Sequence, residues 1–238
     1  YGNVPIFLLD VVELTFSFTV SHFQDLAEKV ISLVLSKKKL PIVVGGTGLY
    51  VKSLTSEIET VTMVPNKKLR EELASLSIEE LQEELKSLNK EKLESLNHSD
   101  LSNKRRLIRY IEIQTNNNEQ ITNNTNKKID SLVIGLYCER EVLKKRIDER
   151  VEARLKNGAL QEAESLFKNY KKLSQQVKDA NGYKQLFMFL KDEISFEEAV
   201  YRWKISEYRH AKNQMTWFKK YGDVKWFDIK KKGFEKEI

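Results

Sequence analysis

Apolar residues recur at helical spacing through Phe23, Leu26, Ala27, Val30, Ile31, Val34 and Leu35, which predicts a helix capped at its start by Thr19 or Ser21. The basic run Lys37-Lys38-Lys39 suits the negative end of that helix. The pattern then changes to an unbroken apolar run, Ile42-Val43-Val44 behind Pro41, which predicts a strand covered on both faces, as in parallel sheets. Gly45, Gly46 and Gly48 follow. They are expected to let the backbone turn tightly and come close to a ligand, with Thr47 offering a hydroxyl at the start of the next helix. Upstream, Ile6 to Val12 reads as a further strand.

From Ser56 to about Asn126 helical periodicity repeats with no strand between. The segments Asn66–Leu76, Ile78–Leu88, Lys92–Leu96 and Asn103–Gln114 are amphipathic and highly charged. Thr115 to Lys128 is dominated by Asn and Thr and holds too few apolar residues to pack, so it reads as a flexible return linker. Strand periodicity resumes at Leu132–Tyr137. Helices follow over Arg140–Leu155, stopped by Gly158, then Ala159–Tyr170, Gln185–Leu190 and Ser195–Phe218, and a strand over Val224–Ile229 closes the pattern. Helices alternating with strands predict an α/β fold with a parallel sheet. The uninterrupted run of helices predicts an all-helical inserted domain. The expected organisation is an α/β core from residues 1–55 and 129–238, interrupted by a helical insertion over 56–128.

Composition narrows the function. Lys and Arg total 41 against 35 Asp and Glu, a net charge of +6, which favours polyanionic partners and nucleic acid first. Cys138 is the one cysteine, so no disulfide framework or cysteine zinc site can form and a reducing compartment is expected. No apolar run approaches the ~20 residues that span a bilayer, and no signal peptide is visible, so the expected location is cytoplasmic, with no membrane partner. The chain opens at Tyr1 without Met, and its first readable element looks like a mid-domain strand. It therefore reads as an N-terminally truncated chain.

Candidate chemistry lies in four places. In the glycine stretch, Lys52-Ser53 mimics the end of a phosphate-binding P-loop, but Val51 stands where that motif needs Gly. On the last insertion helix, Arg105, Arg106 and Arg109 put three guanidiniums within five residues, with Arg105 and Arg109 one turn apart on a shared face. Leu107, Ile108 and Ile111 can dock the helix meanwhile. Arginine presents a rigid fork of donors, so such a face suits phosphates and base edges, while a solvated charged face is the alternative. Arg150 could bind an anion or merely pair with Asp148 or Glu149 on its own helix. Asn181-Gly182 is a turn signal that leaves Lys184 exposed.

Taken together these stretches resemble the bacterial tRNA dimethylallyltransferases. The residues VGGTGLY (44–50) look like that family's signature after a Pro-led strand, and Arg105-Arg106-Leu107-Ile108-Arg109 resembles its RRxIRALE motif, with Tyr110 for the usual Ala. Arg146-Ile-Asp-Glu-Arg150-Val, continuing through Gly158 and Glu162, resembles RIxxRVxxMLxxGLxEE, with Arg154 in the Met position. Residues 179–184 resemble its AIGYKE turn. Residues 208–218 resemble RxYAKRQxTWF, with Tyr208 and Asn213 in place of two arginines and His210 in place of Tyr. In residues 4–12 the family's His pair is replaced by Ile6 and Phe7.

The resemblance implies a P-loop NTPase-like parallel-sheet core with a tRNA-binding helical insertion. It implies transfer of a dimethylallyl group from dimethylallyl diphosphate to N6 of the adenosine 3′ of the anticodon, with Mg²⁺ as cofactor. Arg150 would bind the donor diphosphate. Thr47, Arg70, Arg105, Arg106, Arg109, Gly182, Tyr183 and Lys184 would contact the tRNA anticodon stem-loop, with Gly45, Gly46 and Gly48 shaping the turn. The family's P-loop and its general-base Asp have no counterpart in residues 1–238, so the chain is expected to act as a monomer that binds RNA but is inactive in isolation. An adenylate isopentenyltransferase and a non-catalytic RNA-binding fragment are the competing readings. The first has no need of an arginine-bearing helical insertion.

Overall fold

The structure, a computed structural model, describes residues 4–55, 66–116, 130–222, 224–231 and 233–236. The chain divides into two compact units, one made of Tyr1–Ser56 with Ile129–Ile238 and the other of Glu57–Lys128.

In the first unit α1 spans Val20–Ser36, and of the two capping candidates Thr19 is the one used. Its side chain accepts from the His22 N–H while the His22 ring accepts from the Thr19 N–H. Helix α2 (Gly48–Thr55) packs on α1, burying Leu54 with Ala27 and Ile31. In the second unit α3 (Lys67–Ala74), α4 (Ile78–Leu88), α5 (Lys90–Glu94), α6 (His98–Leu101) and α7 (Lys104–Thr115) follow one another. Ser77 and Glu80 form a reciprocal capping box at the start of α4, and Asn66 and Asn103 cap α3 and α7. The apolar stripes of these helices meet in a core of Leu73, Leu81, Leu85, Leu107 and Ile111. Leu81, Leu85 and Leu107 are fully buried.

The chain returns to the first unit in β1 (Val133–Tyr137), followed by α8 (Arg140–Lys156), α9 (Ala159–Phe167), α10 (Gln175–Asp179), α11 (Tyr183–Leu190), α12 (Phe196–Lys219) and β2 (Val224–Asp228). Strands β1 and β2 pair in parallel, Val133 opposite Val224 and Tyr137 opposite Asp228. A helical core joins Val151, Ala163, Leu186, Phe187 and Trp203, so α8, α9, α11 and α12 are fixed to one another by one set of buried side chains. The protein is therefore a mostly helical α/β structure with a small parallel sheet.

Three expectations need correction. Residues 42–44 do not form a buried strand: they pair with neither β1 nor β2, and Ile42 and Val44 are 77% and 90% exposed. An extended segment becomes a strand only where a neighbour takes up its N–H and C=O groups, and the described sheet offers none there. Ile6–Val12 is not a strand either. Leu8 and Asp10 take left-handed backbone (φ 63° and 51°), which interrupts an extended run. The helix expected to reach Tyr170 ends at Phe167 and gives way to a 3₁₀ turn at Tyr170–Lys172, and α6 and α10 carried too few periodic residues to be anticipated. Beyond Asn116, the polar stretch read as a return linker lies outside the described residues.

Candidate functional site

In the first unit the charged chemistry gathers where α8 and α12 pack together. Arg150 and Arg154 lie one turn apart on α8, and both reach Glu207 of α12, Arg150 at 2.9 Å and Arg154 at 3.5 Å. The Glu207 side chain is 7% exposed, whereas each guanidinium side chain is about half exposed. The Trp203 indole N–H donates to the same carboxylate at 3.2 Å, so Glu207 is satisfied on its inner side and offers two arginines to solvent on its outer side. Neither Asp148 nor Glu149 pairs with Arg150. Asp148 accepts from the Tyr208 hydroxyl and lies 3.9 Å from Lys204, and Glu149 faces Lys145 at 3.9 Å. Burial, then the hydrogen bond to Asp148 and its charge, raise the Tyr208 pKa above the ordinary phenol value.

Beside this pair, Arg154, Asn157, Glu162, Gly182, Tyr183 and Trp203 line an open pocket of about 380 Å³. Gly182 opens α11 with φ at 94°, its N–H donating to the Gln185 side chain at 2.9 Å. A Cβ there would sit 2.7 Å from the buried Trp203 ring, so both conformation and space require glycine. The Tyr183 hydroxyl is pushed up to about 12 by burial first, and then by its hydrogen bond to Glu162 and that carboxylate's charge, with Arg154 opposing. It is a neutral donor at physiological pH. Lys184 lies 3.6 Å from Asp179.

The glycine stretch differs in mechanism from what its sequence suggests. None of Gly45, Gly46 and Gly48 has positive φ. Instead, a Cβ at Gly46 would overlap the Gln214 amide and one at Gly48 the Trp217 ring, so these two glycines admit the end of α12. The Gln214 amide donates to the Gly46 carbonyl at 3.1 Å. A Cβ at Gly45 would meet nothing, and Thr47 stands exposed just ahead of α2.

In the second unit the arginines are sorted by their partners. Glu112, fully buried, is the centre. Arg70 Nε donates to one of its oxygens at 2.9 Å and Nη2 to the other at 2.6 Å, the Asn66 backbone N–H adds a third bond at 2.6 Å, and Arg109 donates from the same helix as Glu112. Burial works against the charged form of Glu112, but the bonds from Arg70, Arg109 and Asn66 outweigh it and hold the carboxyl below its usual range. Arg106 pairs with Asp100, and Arg105 is exposed. Arg105 and Arg109 are one turn apart on α7 as expected, while Arg70 joins them through Glu112, a link the sequence reading missed. The signal available was the i,i+3 spacing of Arg109 and Glu112. Glu207 was missed as well, since it lies 57 residues from Arg150.

Among the described residues no group of three or more His, Cys, Asp or Glu side chains could hold a metal ion. No described helix is long and apolar enough to cross a membrane.

The family model described as IPP transferase matches residues 1–221. The chain is 34% identical over 233 residues to a protein of Bacillus anthracis named tRNA dimethylallyltransferase, covering 95% of this chain and 74% of that one. Among solved structures it is similar to the tRNA isopentenylpyrophosphate transferase of Bacillus halodurans, with TM-score 0.67 and 31% identity over 98% of this chain and 75% of that one. The corresponding transferase of Staphylococcus epidermidis gives TM-score 0.65 and 30% identity over 98% and 78%.

Proposed function

The chain belongs to the IPP transferase family, and from that premise we propose that it modifies tRNA, transferring a dimethylallyl group from dimethylallyl diphosphate to N6 of the adenosine 3′ of the anticodon. The observation that carries this reading is the relationship to a named tRNA dimethylallyltransferase over 95% of the chain. The arginine clusters on α8 and α7 fit the two substrates that reaction needs.

In the reaction the N6 lone pair forms a bond to the allylic carbon as the carbon–oxygen bond to diphosphate breaks, and the N6 proton passes to the general-base Asp that the resemblance implies. Negative charge grows on the departing oxygen. Arg150, permanently charged and held by Glu207, is placed by this reading at the diphosphate, where its two-pronged donors match the phosphate oxygens. Arg154, one turn away and anchored on the same carboxylate, adds a second cation next to the pocket that Tyr183 and Gly182 line. Because both guanidiniums are already held on Glu207, the pair is ordered before substrate arrives. Mg²⁺ would neutralise further diphosphate charge, without ligands assigned among the described residues.

In the second unit, Arg70, Arg105, Arg106 and Arg109 form the surface read as contacting the anticodon stem-loop, with Thr47 and the 182–184 turn as further contacts. The finer architecture in this reading is a P-loop NTPase-like core from residues 1–55 and 129–238 with a tRNA-binding insertion over 56–128, acting as a cytoplasmic monomer.

Titration of an anticodon stem-loop carrying adenosine 3′ of the anticodon tests the reading. Saturable binding, weakened by Arg105→Ala with Arg109→Ala and with a shallower dependence on salt, is expected, because each lost phosphate contact lowers the log–log slope by about 0.7 to 0.9. Equal affinity for an unrelated hairpin of the same length would refute recognition of the anticodon arm. Binding of free adenylate with no affinity for the stem-loop would favour a nucleotide prenyltransferase instead.

A further inference from the structure

Glu112 is fully buried, and the transfer proposed above gives its carboxylate no role. It ties the first turn of α3 to the second half of α7 through four bonds: two from Arg70, one from Arg109 and one from the Asn66 backbone. The arginines it holds stay partly open to solvent, the Arg70 side chain 40% exposed and that of Arg109 26%. Two guanidiniums that would repel each other across a few ångströms are thus fixed next to one another by a carboxylate beneath them. Local bonds hold the carboxyl in its charged form.

We propose that Glu112 is a positioning residue for RNA: buried between α3 and α7, it presets the Arg70 and Arg109 guanidiniums as a fixed pair of phosphate-binding forks. This rests on reading the second unit as an RNA surface. A long side chain that must be ordered on binding costs a factor of about 2.3 to 13 in affinity, so fixing two in advance favours binding by a factor of about 5 to 160. The surrounding charge is consistent with the role. Arg106 is neutralised by Asp100, whereas the single carboxylate of Glu112 lies against two guanidiniums, Arg70 and Arg109.

The variant Glu112→Gln separates positioning from bulk charge because the two predict opposite signs. It raises the net charge of the chain by one. A surface that attracted RNA by charge alone would bind an anticodon stem-loop more tightly and with a steeper salt dependence. A preset pair of forks, once released, binds at least about fivefold more weakly with no steeper slope. Fluorescence anisotropy with a labelled stem-loop across several salt concentrations reads both quantities, and far-UV circular dichroism shows whether the variant is folded. Should Glu112→Gln fail to fold, Arg70→Lys takes its place. It keeps every charge and Glu112 itself but loses the two-pronged bond, and is expected to weaken RNA binding severalfold at an unchanged salt slope. Tighter or unchanged binding by folded Glu112→Gln, or wild-type affinity in Arg70→Lys, would overturn the proposal while leaving the RNA reading intact. If the unaltered chain does not bind the stem-loop, the RNA reading fails and takes this proposal with it.

Discussion

Replacing Arg150 by Ala tests the proposed donor site because the structure separates what the residue does for stability from what it does for a ligand. In the folded chain Arg150 is one of three donors on Glu207. After its removal Arg154 at 3.5 Å and the Trp203 indole at 3.2 Å still face that carboxylate, so it is not left buried and unpaired. The Arg150 side chain is 52% exposed, which screens its ion pair. The stability loss should therefore stay near ~1 kcal/mol. A charge-assisted bond to a diphosphate oxygen contributes about 1.5 to 3 kcal/mol, which corresponds to roughly 10- to 100-fold in the dissociation constant for dimethylallyl diphosphate. Isothermal titration with the donor, alongside thermal unfolding, measures both. Arg150→Lys should recover part of the loss, since an ammonium keeps the charge without the fork. Unchanged donor affinity in Arg150→Ala, with only a small shift in melting temperature, would return Arg150 to a helix–helix ion pair and refute its assignment to the diphosphate.

Two further outcomes follow from the packing and the charges. Gly182→Ala should destabilise the first unit by about 2 to 4 kcal/mol, because it combines left-handed backbone with a Cβ pressed on the buried Trp203 ring; a melting temperature within a degree of the parent would contradict this. For Glu112 the folded-state pKa lies below the unfolded value of about 4.3. Its contribution to stability is then present above that pH and lost as the pH falls through the lower folded value. The gap in melting temperature between the parent chain and Glu112→Gln should therefore shrink as the pH falls below about 4.3, and a gap independent of pH would show that the ionised carboxylate is not what holds α3 to α7.

The elements legible in the sequence were those whose signals are local. Ser77 with Glu80 marks the start of α4, Asn66 and Asn103 mark α3 and α7, and Ser195 marks α12, because a cap is made by residues three apart. The strands depended on something the pattern does not carry. Ile134 and Val43 sit in equally apolar runs, but β1 has β2 to pair with while residues 42–44 have no partner in the described sheet. The glycines after Val44 were visible as close-approach positions, but what approaches Gly46 is Gln214 of α12, 168 residues later, with Trp217 of the same helix against Gly48, and no spacing rule could name it.

The same division between local and distant signals explains the site. Arginines announce themselves at Arg105, Arg106, Arg109 and Arg150, and the resemblance gave each a reason, but their settings differ by which carboxylate lies against them. Asp100 takes Arg106, Glu112 takes Arg109 together with Arg70, and Glu207 takes Arg150 together with Arg154. In the last two cases one buried acid faces two partly exposed guanidiniums, so each group keeps a net positive charge and an ordered geometry at once. A one-to-one ion pair, such as Arg106 with Asp100, has the order without the charge. Both anion sites proposed for this chain, one for diphosphate and one for RNA, are thus built from the same two-to-one arrangement. The Arg154 half of the diphosphate group stands where the family motif carries Met, so a methionine at that position would leave Glu207 a single guanidinium and reduce the group to a neutral pair.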